Sequence, residues 1–237
     1  MFISTESIVL RTYPFKDKKF ITKVFTREAG LVSFIFRKTK NQVVLAQPLT
    51  MLDITYRSPK NKQLFYITEA HINYAYQNLL FNNNKINHSI ILCEILYKCL
   101  QEPNEALFDF IIESFKWFDT NRVSSPLFNN FFLVKFCEKM GISPFNKNLE
   151  EIPLNYVLNM ADGNFIQPLN TIIKDIVPHD ETIEMHILSK ISIGELVNYK
   201  SSKKMNSIIF NYLVKYISIH LTDISNLKAT SIVKEIY

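Results

Sequence analysis

Residues 19–36 read KFITKVFTREAGLVSFIF, and this stretch decides the fold. Lys19 to Thr26 is rich in β-branched and aromatic residues, and Leu31 to Phe36 is a second such run, apolar on both faces. Between them Arg27-Glu28-Ala29-Gly30 is short enough for a tight connection, and Gly30 can take the positive φ that such a connection needs. The spacing predicts a β-hairpin. Upstream, Glu6, Ile8 and Leu10 share one face of an extended segment, with Ser7, Val9 and Arg11 on the other. Downstream, Thr50, Leu52, Ile54 and Tyr56 alternate as the inner face of a fourth strand, and the turn from Arg57 to Lys62 leads into a fifth, Leu64 to Ala70. Five short, mostly antiparallel strands in about 70 residues suit a small barrel of the OB type, whose closure removes exposed edges; an open five-stranded sheet meets the same pattern.

From about residue 85 the apolar period lengthens from two to between three and four. Asn87 to Leu100 reads as a first helix. Asn104 can cap a second, in which Leu107, Phe108, Ile111, Ile112 and Phe115 recur at helical spacing. Ser125-Pro126 opens a third in the N-cap/N1 manner and Gly141 ends it. Its apolar residues, from Leu127 and Phe128 through Phe131 to Val134 and Phe136, cover most of the circumference, which marks a helix at the centre of a core. Asp162-Gly163 between two short apolar runs predicts a small β-hairpin over 156–166. A long amphipathic helix follows, with Met205, Ile208, Ile209, Tyr212, Leu213 and Tyr216 as its stripe, and a last short helix is expected over about 228–236. The fold class is α+β: an OB-like five-stranded β-barrel over 1–78, then a mostly helical domain over 79–237 carrying the hairpin.

With 47% hydrophobic residues in 237, the chain can bury a core without covalent staples. Its three cysteines are odd in number and widely spaced, which fits a reducing compartment. Glu6 stands where a signal peptide wants positive charge, and no apolar run approaches the ~18 to 20 residues of a membrane span. A soluble, cytoplasmic protein is expected. Catalytic signatures are missing from the sequence: there is no G-x-S-x-G elbow, and four glycines cannot write a phosphate-binding or dinucleotide-binding loop. Cys93 and Cys99, six apart on a helix, are turned roughly 240° from one another, and His179 and His186 would lie ~10 Å apart along one face. Glu150 and Glu151, adjacent in the chain, prescribe no acid–base geometry. No catalytic residue, metal or cofactor is therefore expected, and elemental analysis of the purified protein should find no stoichiometric zinc. One zinc per chain would overturn that expectation.

Charge is the informative signal. Residues 1–75 hold 12 Lys/Arg against 5 Asp/Glu, a net of +7, leaving 15 against 17, a net of −2, for residues 76–237. Such asymmetry points the N-terminal part toward a polyanion. The candidate DNA-binding set is Arg11, Lys16, Lys18, Lys19, Lys23, Arg27, Arg37, Lys38, Lys40, Arg57, Lys60 and Lys62, most of them in connections from which they can reach phosphates. Tyr13, Phe15, Phe20, Phe36 and Tyr56 are interleaved with them, as stacking on single-stranded bases requires, although several of these rings must fill the barrel instead. The competing reading is a helical scaffold or adaptor whose barrel binds protein; a nucleic-acid hydrolase would need a metal or paired-carboxylate site that the sequence does not offer.

Three stretches, Ser7-Ile-Val-Leu-Arg11, Val24-Phe-Thr-Arg-Glu-Ala-Gly30 with a basic stretch after the third strand, and Phe131 to Pro144 (FFLVKFCEKMGISP), resemble the bacterial RecO family of DNA-repair and recombination mediators. The end, Tyr212 to Tyr237, is similar in its helix-turn-helix pattern. Three features depart from the family: Lys16-Asp-Lys-Lys19 stands where many members carry an acidic residue, the run Phe36-Arg37 replaces the glycine often found before the basic loop, and Asn146 to Pro168 contains none of the cysteines of the family's zinc module. The resemblance implies binding of single- and double-stranded DNA, annealing of complementary strands, and work with RecR and single-stranded-DNA-binding protein to load the RecA recombinase. It also implies that the helical body docks the acidic C-terminal tail of single-stranded-DNA-binding protein, for which Lys135 and Lys139 are candidate contacts.

Overall fold

The computed structural model describes residues 2–37, 44–57, 64–145, 151–167 and 175–229. The predicted hairpin is present: β2 (Lys19–Thr26) and β3 (Gly30–Arg37) pair antiparallel in a register that sets Thr26 opposite Gly30. With β1 (Phe2–Pro14), β4 (Met51–Arg57) and β5 (Tyr66–Tyr74) they form one sheet in the order β3, β2, β1, β4, β5. The outer strands then meet at a parallel bridge, where the Ile35 N–H donates to the Phe65 carbonyl at 2.9 Å and the Phe65 N–H to the Ser33 carbonyl at 3.0 Å. That bridge curls the sheet into an OB-like barrel, filled by Val9, Val24, Phe34, Leu52, Ile54 and Tyr56. The alternation of Leu52, Ile54 and Tyr56 points inward as the sequence indicates, and each is at most 2% exposed.

Two strands run beyond their sequence signals. β1 reaches Phe2 and Pro14 because its first half pairs with β4 and its second with β2; the register shifts between Val9 and Arg11, a bulge that turns the strand from one partner to the other. β5 continues to Tyr74, past the point where alternation fades, because much of it is exposed on both faces and only β4 fixes its conformation. Ile8, Leu10 and Phe25, on the outer face of the barrel, are at most 3% exposed. They are covered by α1 (Asn83–Cys99) and α2 (Glu105–Thr120), where the Phe25 ring meets Phe108 at 5.9 Å. Gly30 is needed here for two reasons. Its φ is +67°, and a Cβ would stand 2.4 Å from the Gln101 carbonyl oxygen, which accepts the Leu31 N–H at 2.9 Å.

The helices start at local caps. The Asn82 side chain accepts from the Asn84 and Lys85 N–H groups, which begins α1 a turn earlier than its apolar period suggests. The Asn104 side chain accepts from Leu107 at 2.9 Å, as expected for α2. α3 (Ser125–Lys139) has Ser124 at its N-cap position, one residue before the predicted one and without a side-chain cap hydrogen bond, so that Ser125 and Pro126 lie in its first turn. Its Phe128, Phe132, Leu133 and Phe136 are all 0% exposed, which fits a central helix. Within the same body, Asn130 donates to Asn206 on α5 (Lys203–His220), fixing how the two helices register.

The predicted insert is a hairpin of β6 (Val157–Asn159) and β7 (Asn164–Ile166), extended by a third strand, β8 (Ile176–Val177), that is too short to carry a pattern. It is tied to α5 by the His220 Nε2, 2.7 Å from the Met160 carbonyl. α4 (His179–Lys190) is also absent from the sequence reading, and the last predicted helix lies outside the described residues beyond Ala229. The element type changes near residue 78, but the compact units divide elsewhere: Met1–Thr120 with the chain from Leu227 forms one, and Asn121–Asn226 the other. α1 and α2 group with the barrel because they cover its apolar outer face.

Candidate nucleic-acid interface

The turn between β1 and β2 is built to hold charge out in solvent. Asp17 and Lys18 both have positive φ, 56° and 60°, and the turn is closed by Phe15 N–H to the Lys19 carbonyl at 2.7 Å and Lys19 N–H to the Lys16 carbonyl at 3.2 Å. A residue with a Cβ reaches this conformation at a cost of about 1 kcal/mol, and here it leaves Lys16 and Lys18 exposed at the tip. Lys19 begins β2 directly opposite Arg37, the exposed last residue of β3. The structure thus gathers Lys16, Lys18, Lys19 and Arg37 at one end of the barrel.

Beside them the barrel is incompletely closed. Past the Phe34–Phe65 bridge a groove of about 890 Å³ opens, with Lys19, Phe36 and Arg37 on one wall and β5 from Tyr66 to His71 on the other. Arg57, exposed at the end of β4, pairs with Tyr66 across the sheet. Of the predicted aromatics, Phe36 and Tyr56 are 4% and 2% exposed and belong to the barrel interior. Phe20 packs on Phe36, ring centres 5.8 Å apart, and Tyr13 is half-buried. Phe15, next to the basic turn, is exposed. Tyr66, exposed at 61%, lies outside the aromatic set that the sequence pattern indicates. The signal was there: Phe65 and Ile67 belong to the interior, so alternation sends Tyr66 outward.

Three of the predicted cations have partners within the fold. Arg27 forms ion pairs with Glu6 at 2.7 Å and Asp109 at 2.6 Å and lies over the Phe108 ring at 4.8 Å. Its hydrogen bond to Asp109, opposed by burial and reinforced by Glu6, raises its pKa further. Arg11 lies over the Tyr97 ring of α1 at 5.0 Å, and the Lys23 ammonium donates to the Ser33 hydroxyl at 2.6 Å. Partners so distant in the chain leave no trace in local sequence. Lys38, Lys40, Lys60 and Lys62 lie outside the described residues. In the helical body, Lys135 donates to the Ser189 carbonyl, pairs with Glu138 at 3.8 Å and lies over Phe131, while burial lowers its pKa; Lys139 is exposed. The two do not form a matched rim of free charge. Among the described residues no cluster of three or more His, Cys, Asp or Glu could hold a metal ion, and no helix is long and apolar enough to cross a membrane.

Comparison with known proteins matches the same region. A family model described as the N-terminal part of recombination protein O covers residues 1–76. Over the whole chain, the DNA repair protein RecO of Phocaeicola vulgatus is 28% identical across 253 aligned positions, with both chains covered completely. Residues 1–76 are thus similar to the N-terminal part of recombination protein O, and the whole chain is similar to DNA repair proteins RecO. The DNA repair protein RecO of Flavobacterium johnsoniae is 27% identical and that of Porphyromonas gingivalis 24%, again with complete coverage of both chains. The basic turn, the groove and every predicted DNA-binding cation fall inside the stretch matched by the family model.

Proposed function

We propose that this protein is a member of the RecO family and a non-enzymatic DNA-binding protein of repair and recombination, with its DNA-binding function in residues 1–78. The observation that carries the reading is the set of four cations, Lys16, Lys18, Lys19 and Arg37, held together at the mouth of an open groove. Such a surface suits phosphate oxygens, and the relatives are named for DNA repair. Two phosphate backbones held on a basic surface repel one another less, so that base pairing can drive annealing of complementary strands. The resemblance further supports loading of RecA on DNA coated by single-stranded-DNA-binding protein, with RecR and the tail of that protein as partners of the helical body over 79–237. Lys139 is the better candidate contact there, because Lys135 is already engaged. The cytoplasm is the compartment proposed.

Replacing Lys16, Lys18, Lys19, Arg37, Lys38 and Lys40 with glutamine should leave the protein folded, since Lys16 and Lys18 lie in an exposed turn and Lys19 and Arg37 at strand ends, where side chains outside the core contribute little to stability. DNA binding and strand annealing should fall together, without dependence on base sequence. If roughly four of these groups meet phosphates of a single strand, the slope of log affinity against log salt flattens by about 3, because each neutralised phosphate releases ~0.7 counterion. A folded variant with the parent's affinity and salt slope would return the barrel to the protein-binding reading.

A further inference from the structure

We infer that Tyr66 is a base-stacking platform at the barrel groove, and that the protein consequently grips an unpaired strand more tightly than a duplex. The inference rests on the reading of the barrel as a nucleic-acid binder and adds to it a residue and a strand preference. The starting observation is that Tyr66 is an exposed aromatic ring on a barrel that encloses Phe34, Phe36 and Tyr56. Phe34, Phe36 and Tyr56 are at most 4% exposed, and Phe34, Tyr56 and Phe65 pack against one another in tilted to edge-on geometry with ring centres 5.0 to 6.3 Å apart. Tyr66 follows Phe65 directly, yet it is 61% exposed.

Its position gives that ring a use. It stands in the wall of the groove at the bridge where β3 and β5 part, and the other wall carries Lys19 and Arg37, paired across β2 and β3. Glu69 is the single carboxylate among the described lining residues, so the groove keeps a positive balance. On its other side, Tyr66 is opposite Arg57, and Arg57 is opposite Phe2, itself 64% exposed. Directly opposed residues of antiparallel strands share a face, so the row Phe2, Arg57, Tyr66 alternates ring, cation, ring on the outer surface. Cations flanking flat apolar rings match a chain in which phosphates alternate with bases. Only an unpaired base has a face to offer, because a duplex hides both faces of each base within its stack. An extended peptide added to the free strand edges would use backbone groups and leave Tyr66 and the row beside it without a role.

The test uses the full-length chain and measures binding of a single-stranded oligothymidylate, an abasic oligonucleotide of equal length and a duplex. Tyr66→Ala is expected to weaken oligothymidylate binding by roughly 5- to 150-fold, the range for loss of one stacked base. Its salt slope and its affinity for the abasic strand should match the parent's, since no phosphate contact is removed, and Tyr66→Phe should bind like the parent. On the unmodified protein, photocrosslinking to an iodouracil-substituted single strand should map to Tyr66, which keeps the test independent of any effect of substitution on folding. Tyr66→Ala binding oligothymidylate within about twofold of the parent, while the six-glutamine variant has lost it, or crosslinks confined to other residues, would overturn the stacking role and leave the nucleic-acid reading standing. Undiminished binding by the six-glutamine variant would remove that reading itself.

Discussion

Asp119→Ala is expected to destabilise the protein by about 4 kcal/mol and to lower its thermal midpoint by about 10 °C, although the residue touches no ligand surface. Asp119 is 0% exposed at the end of α2. Its carboxylate accepts four hydrogen bonds: from the backbone N–H groups of Gln77 at 2.9 Å, Asn78 at 2.8 Å and Leu79 at 2.6 Å, and from the Tyr74 hydroxyl at 2.9 Å. These donors belong to the chain as it leaves β5, so one side chain fixes the path from the barrel into the helices. Burial pushes the carboxyl pKa up, but the donors outweigh it and hold it below the usual carboxylate range. Lys85 completes the arrangement by donating to the Phe118 and Asp119 carbonyls, with its own pKa lowered by burial. Alanine leaves the buried Leu79 N–H and the other donors without their acceptor, at about 1 to 3 kcal/mol for each buried group that water cannot reach. Asparagine, which keeps one acceptor oxygen, should lose about half as much. Hydrogen exchange at Leu79 should accelerate in both variants. An alanine variant melting within about 3 °C of the parent would show that these donors find other partners.

None of this is visible from residue 119 alone, and the same holds for much of the candidate site. The β2–β3 hairpin carries its own alternation and its own Gly30, and α3 carries apolar residues all round because it is buried all round. The exposed charge of Lys16 and Lys18 belongs to a four-residue turn and needs no distant partner. The fold was hidden where conformation is imposed from elsewhere. The ends of β1 and β5 are strands because β2 and β4 pair with them, and α4 has polar and apolar residues too evenly spread to show a stripe. Among the cations, Arg27, Lys23 and Arg11 differ from Lys19 and Arg37 only in what lies across from them: Asp109, Ser33 and the Tyr97 ring. Charge counting treats all five alike. Tyr66 is the opposite case, legible from strict alternation between Phe65 and Ile67 but not singled out among so many rings.

Stability should also fall as the pH drops from about 6.5 toward 4, by about 3 kcal/mol from His88 alone. His88 lies on α1 and is 8% exposed. Burial disfavours its charged form and pushes its pKa down to about 4, from an ordinary 6.5. Because the folded-state value is the lower one, the unfolded chain binds a proton between these two pH values while the folded protein does not. Stability therefore rises with pH through this window, at about 1.4 kcal/mol per pH unit in its middle, and the contribution is complete above about 6.5. Asp119 acts in the same direction at lower pH: its depressed pKa stabilises the fold above the ordinary carboxylate value, and that contribution is lost as acid protonates it. The two windows separate on the pH axis, and His88→Gln, which cannot titrate, should remove the upper one while leaving the lower one in place. Urea unfolding of the parent and of His88→Gln between pH 4 and 7.5 measures this directly, the difference in slope isolating one proton. Parallel pH profiles, or an NMR titration placing the His88 ring near 6.5 in the folded protein, would show that solvent reaches the imidazole and that its burial does not govern acid sensitivity.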